Sequence, residues 1–188
     1  MNSFDPILHR YTIAGRQVVS VTQALQEVFS LKYYYATDWH KDRGSVVHAC
    51  AAMVARGKQF TYDPQVKGQV TACKKFFADM KPEVLSVEER VFSERYMFAG
   101  CPDLICKIAG HKCIVDYKSS ITDVVFLQLG GYAILKPDVT HGMGVELRED
   151  GKYKYTKLVK IDRFKNEFLS VLTVYNIQKR LKINIDTD

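Results

Sequence analysis

One stretch constrains this chain more than any other: from Gly100 to Lys118 it reads Gly-Cys-Pro-Asp-Leu-Ile-Cys-Lys-Ile-Ala-Gly-His-Lys-Cys-Ile-Val-Asp-Tyr-Lys. Leu104 to Ile108 and Cys113 to Tyr117 are apolar runs with polar residues interleaved, and Gly110-His111 between them suits a two-residue loop, so the pattern predicts an antiparallel hairpin. That loop sets Ala109 opposite Lys112, Ile105 opposite Asp116 and Asp103 opposite Lys118. Side chains alternate faces, so Asp103, Asp116 and Lys118 leave the sheet on one side, with the two carboxylates as diagonal neighbours roughly 7 Å apart. Carboxylates so placed repel unless a cation lies between them, and hard oxygen ligands suit Mg²⁺ or Mn²⁺, which accept water and phosphate oxygens as further ligands. A register slip of one residue would send Asp103 to the opposite face and leave a solvated strand instead.

The chain has 188 residues, long enough for one sizeable core, and no Pro/Gly/Ser-rich linker interrupts it, so a single domain over 1–188 is expected. Hydrophobic residues make up 47% and charged residues 26%, as in an ordinary globule, with no apolar run long enough to span a membrane. The N-terminus does not read as a signal peptide. A net charge of +6 favours an anionic partner. The five cysteines form no C-x-x-C pair and predict reduced, buried thiols in a cytoplasmic protein.

Tyr11 to Ile13 and Gln17 to Val19 flank Ala14-Gly15-Arg16 and predict a small hairpin or an extended arm without evident chemistry. Ser20 with Gln23 three positions on predicts a capped helix running to about Tyr33. The run Lys32-Tyr33-Tyr34-Tyr35, followed by Trp39, His40 and Lys41, is an aromatic and basic cluster that could stack bases or simply pack. Arg43-Gly44-Ser45 opens a second helix to about Arg56 that carries His48, and Asp63-Pro64 opens a third, with an apolar stripe from Val66 to Met80. Residues 86–93 predict one strand feeding the hairpin. A helix from about Thr122 to Leu135 is apolar nearly all round except for Gln128 and Tyr132, which share a face. Strands over His141 to Leu147 and Tyr153 to Ile161 flank a turn at Glu149-Asp150-Gly151, and a last helix runs from about Arg163 to Leu181.

Together, Arg43-Gly-Ser-x-x-His48, Gly100-Cys-Pro-Asp103, Asp116-Tyr-Lys118-Ser-Ser and Gln128-x-x-x-Tyr132 resemble the PD-(D/E)XK nuclease superfamily, in its RecB-like and phage-type exonuclease branch. Ser20-Val-Thr is similar to an opening common in phage members, with Val19 in place of a proline. The resemblance spans about residues 18–135, with C-terminal strands and a helix over 139–182. It implies an α/β fold with a restriction-endonuclease-like core, a central mixed β-sheet flanked by helices.

It also implies catalytic roles for Asp103, Asp116 and Lys118, with one or two Mg²⁺ or Mn²⁺ ions held by His48, Asp103, Asp116 and the Tyr117 carbonyl. Histidine favours Mn²⁺ somewhat. Glu88 is the first choice for an additional acidic ligand, with Glu89 and Glu94 as rivals. Lys118 would orient or activate the attacking water, Gln128 and Tyr132 would position the scissile strand, and Ser119, Ser120 and Arg43 would hold phosphates.

The expected activity is metal-dependent hydrolysis of DNA, favouring an exonuclease acting at ends in phage or bacterial recombination. A recombination or single-strand-annealing protein is an implied partner. A structure-specific or restriction-like endonuclease, or a catalytically silent nucleic-acid-binding protein of the same fold, are the alternatives. Some relatives hold an iron-sulphur cluster with C-terminal cysteines; no cysteine follows Cys113, so no cluster is expected. No Gly-x-x-x-x-Gly-Lys-Ser/Thr motif is present, and unwinding would need a partner.

Overall fold

The computed structural model describes residues 1–29 and 38–181, with side chains of the second helix described from residue 44 onward. Two sheets and five α-helices make up these residues. The chain starts with three antiparallel strands, β1 (Ser3–Asp5), β2 (Arg10–Ile13) and β3 (Arg16–Ser20). Ala14 and Gly15, both at positive φ, make the tight turn between β2 and β3. Ser20 then caps α1 (Val21–Val28): its hydroxyl accepts from the Gln23 N–H while the Gln23 side chain accepts from the Ser20 N–H. The expected continuation of this helix to Tyr33 lies outside the described residues.

Helix α2 (Asp38–Ala55) begins before Arg43, where the sequence placed its start. A 3-10 turn at Pro64–Val66, capped by Asp63, leads into α3 (Lys67–Met80). The strand expected over residues 86–93 is in fact two. β4 (Glu83–Val87) ends where Glu88 adopts φ 52°, and β5 (Val91–Ser93) leaves for the other sheet, so the break falls in the polar run Glu88-Glu89-Arg90. Strands β6 (Phe98–Gly100), β7 (Leu104–Ile108) and β8 (His111–Lys118) follow, then α4 (Val124–Leu135), β9 (His141–Leu147), β10 (Tyr153–Tyr155), β11 (Val159–Lys160) and α5 (Asp162–Leu181). The long strand expected over residues 153–161 is thus divided, and both pieces pair with β9.

The larger sheet has the order β10-β9-β8-β7-β4 with β11 also on β9; β8 and β9 are parallel and its other pairs antiparallel. Alternation along β7 and β8 sorts the core into two layers. Leu104, Cys106, Cys113, Val115 and Tyr117 meet Ala51 of α2 and Phe76 of α3, whereas Ile105 and Ile114 meet Leu25, Leu129 and Phe168 of α1, α4 and α5. Gly144, paired with Asp116, lets α4 come close: a Cβ there would lie 2.9 Å from Val125. The smaller sheet, β1-β2-β3-β6-β5, joins the N-terminal hairpin to the rest through the parallel β3–β6 pair.

Candidate active site

The β7–β8 hairpin turns at Ala109-Gly110, both at positive φ, not at Gly110-His111. Two left-handed central residues suit the tight turn that matches strand twist. The register therefore moves by two from the one expected: Leu104 faces Val115, and one step further Asp103 falls opposite Asp116, where Lys118 was expected. An even shift keeps the faces, so Asp103, Asp116 and Lys118 still share the side occupied by Ile105 and Ile114.

Asp103 lies just before β7, and its carboxylate bridges two elements. One oxygen accepts from the Tyr117 N–H of β8 at 2.8 Å, and the other accepts from His48 Nδ1 of α2 at 2.9 Å. Asp116 is 1% exposed and ion-paired with Lys118, whose side chain is 28% exposed and so reaches toward solvent. Electrostatics follow from this crowding. The Asp103 carboxylate draws the His48 imidazolium up from its ordinary value. Burial pushes Asp103 up, but His48 and Lys118 more than offset it and hold it below the usual carboxylate range. Burial, with Asp103 nearby, raises Asp116 despite Lys118.

From α4, Gln128 and Tyr132 face the same space and are both buried. Gln128 Nε2 donates to the Tyr132 hydroxyl at 3.0 Å and reaches Thr22 Oγ1 of α1 at 3.5 Å. Burial, reinforced by both carboxylates, raises the Tyr132 phenol well above its ordinary value and keeps it neutral. His48, Asp103, Asp116, Lys118, Gln128 and Tyr132 thus line one cavity of about 270 Å³. Ser119 and Ser120 line an adjoining cavity of about 320 Å³ that shares Thr22, Lys118 and Gln128 with the first.

The remaining expectations sort differently. The Tyr117 side chain packs into the α2/α3 layer, while its backbone N–H is tied to Asp103, so its peptide runs beside the site. Glu88 does not line the cavity: its carboxylate lies 3.7 Å from Arg56. Glu89 pairs with Lys136 at 2.6 Å, and Glu94 accepts from Asn2. The left-handed Glu88 turns the chain from one sheet to the other: its N–H still donates to the Asp103 carbonyl at 3.1 Å, while its carboxylate lies near Arg56. The side chain of Arg43 and the cluster from Lys32 to Lys41 lie outside the described residues.

The sequence reading missed His9, Tyr11 and Cys101, which also line the cavity. No local pattern marks them; the parallel β3–β6 pairing brings the N-terminal hairpin beside Gly100 and Cys101. Among the described residues, no group of three or more His, Cys, Asp and Glu side chains is arranged to hold a metal ion by itself. The donor set nonetheless fits Mg²⁺ or Mn²⁺, which bind through one or two carboxylates and complete their shells with water and phosphate oxygens. All five cysteines are free thiols. No described helix is long and apolar enough to cross a membrane.

Mixed strand pairing, helical layers on both faces and carboxylates at the β7–β8 pair define a restriction-endonuclease-like core. Among solved structures, the fold is similar to that of an alkaline exonuclease, LHK-Exo, from Laribacter hongkongensis. The TM-score is 0.52 at 10% identity, over 88% of this chain and 89% of that one. A structure of LHK-Exo in complex with dAMP matches over the same shares with a TM-score of 0.51, also at 10% identity. At this identity the likeness is one of fold. No protein-family model matches the chain, and no curated protein is similar to it in sequence.

Proposed function

We propose that residues 1–188 form one PD-(D/E)XK nuclease domain that hydrolyses DNA phosphodiester bonds with a divalent metal, acting at DNA ends in phage or bacterial recombination. The observation that carries this reading is the convergence of the buried Asp116 and the partly buried Asp103, Lys118 and His48 on a single cavity. Ionisable groups crowded into one cleft, with carboxylates and an imidazole that shift one another's protonation, mark a site that serves chemistry. The likeness of fold to an exonuclease supports the same reading.

Asp103, Asp116 and the Tyr117 carbonyl, with His48, would hold one or two Mg²⁺ or Mn²⁺ ions. Such an ion lowers the pKa of bound water and neutralises phosphate charge. His48 fixes the orientation of Asp103 through its Nδ1–H, and the Tyr117 N–H fixes the other oxygen, so that carboxylate is held by two elements. Lys118, anchored on Asp116, would place its ammonium beside the attacking water and hold that water's orientation. Gln128 and Tyr132, locked to each other, would position the scissile strand, and Ser119, Ser120 and Arg43 would contact neighbouring phosphates.

The test is incubation of the purified protein with end-labelled linear DNA and closed circular DNA in Mg²⁺, Mn²⁺ or EDTA. The reading predicts metal-dependent loss of linear DNA with circles intact. Cutting of circles would replace the exonuclease by an endonuclease, and binding without cutting in any metal would overturn the nuclease reading.

A further inference from the structure

Lys118 ends β8, and the two strands beyond it carry charged residues in register with it. Lys118 pairs with Glu146 of β9, and Glu146 pairs in turn with Lys154 of β10. Paired residues on neighbouring strands leave the sheet on the same side. The row therefore lies on the face of Asp116, whose own partner, Gly144, stands two residues before Glu146 on β9.

Glu146 is a deep carboxylate with a weak partner. Its side chain is 18% exposed, and acids so buried are rarely left without a cation. Arg148 Nε comes no closer than 4.0 Å, while a terminal nitrogen of the same guanidinium lies nearer to Asp150, at 3.4 Å. Lys154 is exposed. Glu146 lines neither cavity, whereas Lys118 lines both, so any effect of Glu146 on bound DNA has to pass through Lys118.

The Lys118 ammonium pairs with Asp116 Oδ2. Under the nuclease reading the same buried carboxylate is a ligand for Mg²⁺ or Mn²⁺. An ammonium and a divalent ion repel one another, and away from water that repulsion is strong. Lys118 must therefore leave Asp116 when the metal is bound there. The carboxylate in register with it is Glu146, on a strand about 4.8 Å away, within the sweep of a flexible four-carbon stem.

We propose, resting on the nuclease reading above, that Glu146 is a positioning residue for Lys118. It takes the ammonium when a divalent metal occupies Asp116, and so holds Lys118 at the cavity wall where the attacking water is oriented. Without the Glu146 charge the ammonium stays on Asp116 and competes with the metal.

The test is a double-mutant cycle read as Mn²⁺ affinity by titration calorimetry, with no DNA present. It uses the full chain, Glu146→Gln, Lys118→Met and the double variant, each with its thermal unfolding checked. Glu146→Gln should weaken Mn²⁺ binding about tenfold, the order of one hydrogen bond to a charged group. Lys118→Met should bind Mn²⁺ at least as tightly as wild type, and adding Glu146→Gln to it should cost nothing further. An equal loss in both backgrounds would make Glu146 a direct contributor to the metal's field and overturn the proposal, as would no loss in either. Glu146→Asp keeps the charge and should recover most of the affinity; a variant as weak as Glu146→Gln would point to a role in packing instead.

Cleavage supplies the second readout. Glu146→Gln should lower kcat about tenfold with KM for DNA unchanged, and Glu146→Asp should restore most of the rate. A rise in KM at constant kcat would place Glu146 on the DNA and overturn the proposal. A wild-type chain that binds no Mn²⁺ and cleaves no DNA overturns the nuclease reading and this proposal with it, whereas additive losses in an active chain overturn this proposal alone.

Discussion

Gly130→Ala is expected to destabilise the fold although alanine is the better helix former. Helices α4 and α5 cross with no room for a side chain: a Cβ on Gly130 would stand 2.2 Å from the Phe164 carbonyl oxygen and 2.4 Å from its carbonyl carbon. These are backbone atoms and cannot rotate away, so the helices must part by roughly 1 Å to reach ordinary contact. Parting them loosens a layer that includes Leu129, Ala133, Phe168, Val171 and Leu172. Overpacking of this kind costs about 1–3 kcal/mol, and the gain in helix propensity returns about 1 kcal/mol. A clash against rigid backbone belongs at the upper end, leaving a net loss of about 1–2 kcal/mol.

For a chain of this length that loss lowers Tm by about 2–8 °C, measured by scanning calorimetry. Gly44→Ala is the matched control: it lies in α2 with nothing within 4 Å of a Cβ, and should raise Tm by about 2–4 °C through propensity alone. Gln128 and Tyr132 each lie two residues from Gly130 on α4, so Gly130→Ala should also slow cleavage at temperatures where the variant remains folded. A Tm that rises with Gly130→Ala as it does with Gly44→Ala would refute the close α4–α5 crossing.

Further outcomes follow from the same structure. Ser20→Ala removes the hydroxyl half of the capping box and keeps the backbone N–H that donates to Gln23, and should cost about 1 kcal/mol, read as a lower urea midpoint with an unchanged slope. Cys101 is the most accessible thiol and burial pushes it up to about 11, so DTNB at pH 8 should titrate at most one thiol slowly in the folded protein and five after unfolding; rapid release of several would contradict the packing. Glu88→Ala should leave cleavage within about twofold of wild type, since a rim charge of this kind contributes little. A Glu88→Ala loss as large as that of Asp116→Ala would return Glu88 to the site.

Much of this was legible in the chain. The period-two alternation of residues 104–118 marks which face Asp103, Asp116 and Lys118 share, and a polar pair four residues apart on an apolar helix marks Gln128 and Tyr132 as facing something other than core. Those signals are local. The turn at Ala109-Gly110 was misplaced by one residue because either dipeptide can supply a left-handed position, yet the error changed the register by two and preserved the face. The distance of Glu88 along the chain says nothing of its left-handed backbone, which turns its carboxylate toward Arg56 while its N–H stays on the Asp103 carbonyl. His9 and Tyr11 carry no local mark at all: a parallel pairing between residues 19–20 and 98–99 places them at the site, and such long-range contacts leave no periodicity to read.

Lys118→Ala tests the central claim most directly. Lys118 is ion-paired to the buried Asp116 and reaches the cavity with 28% of its side chain exposed, a position suited to holding water more than to gripping the strand. Cleavage rate and DNA affinity should be measured on the same preparation, affinity by fluorescence anisotropy in EDTA. The account predicts that Lys118→Ala binds DNA within a few-fold of wild type and loses cleavage by about 10²-fold or more, as removal of a general acid-base group does. Cleavage that persists in Lys118→Ala, or that falls only in step with affinity, would contradict it.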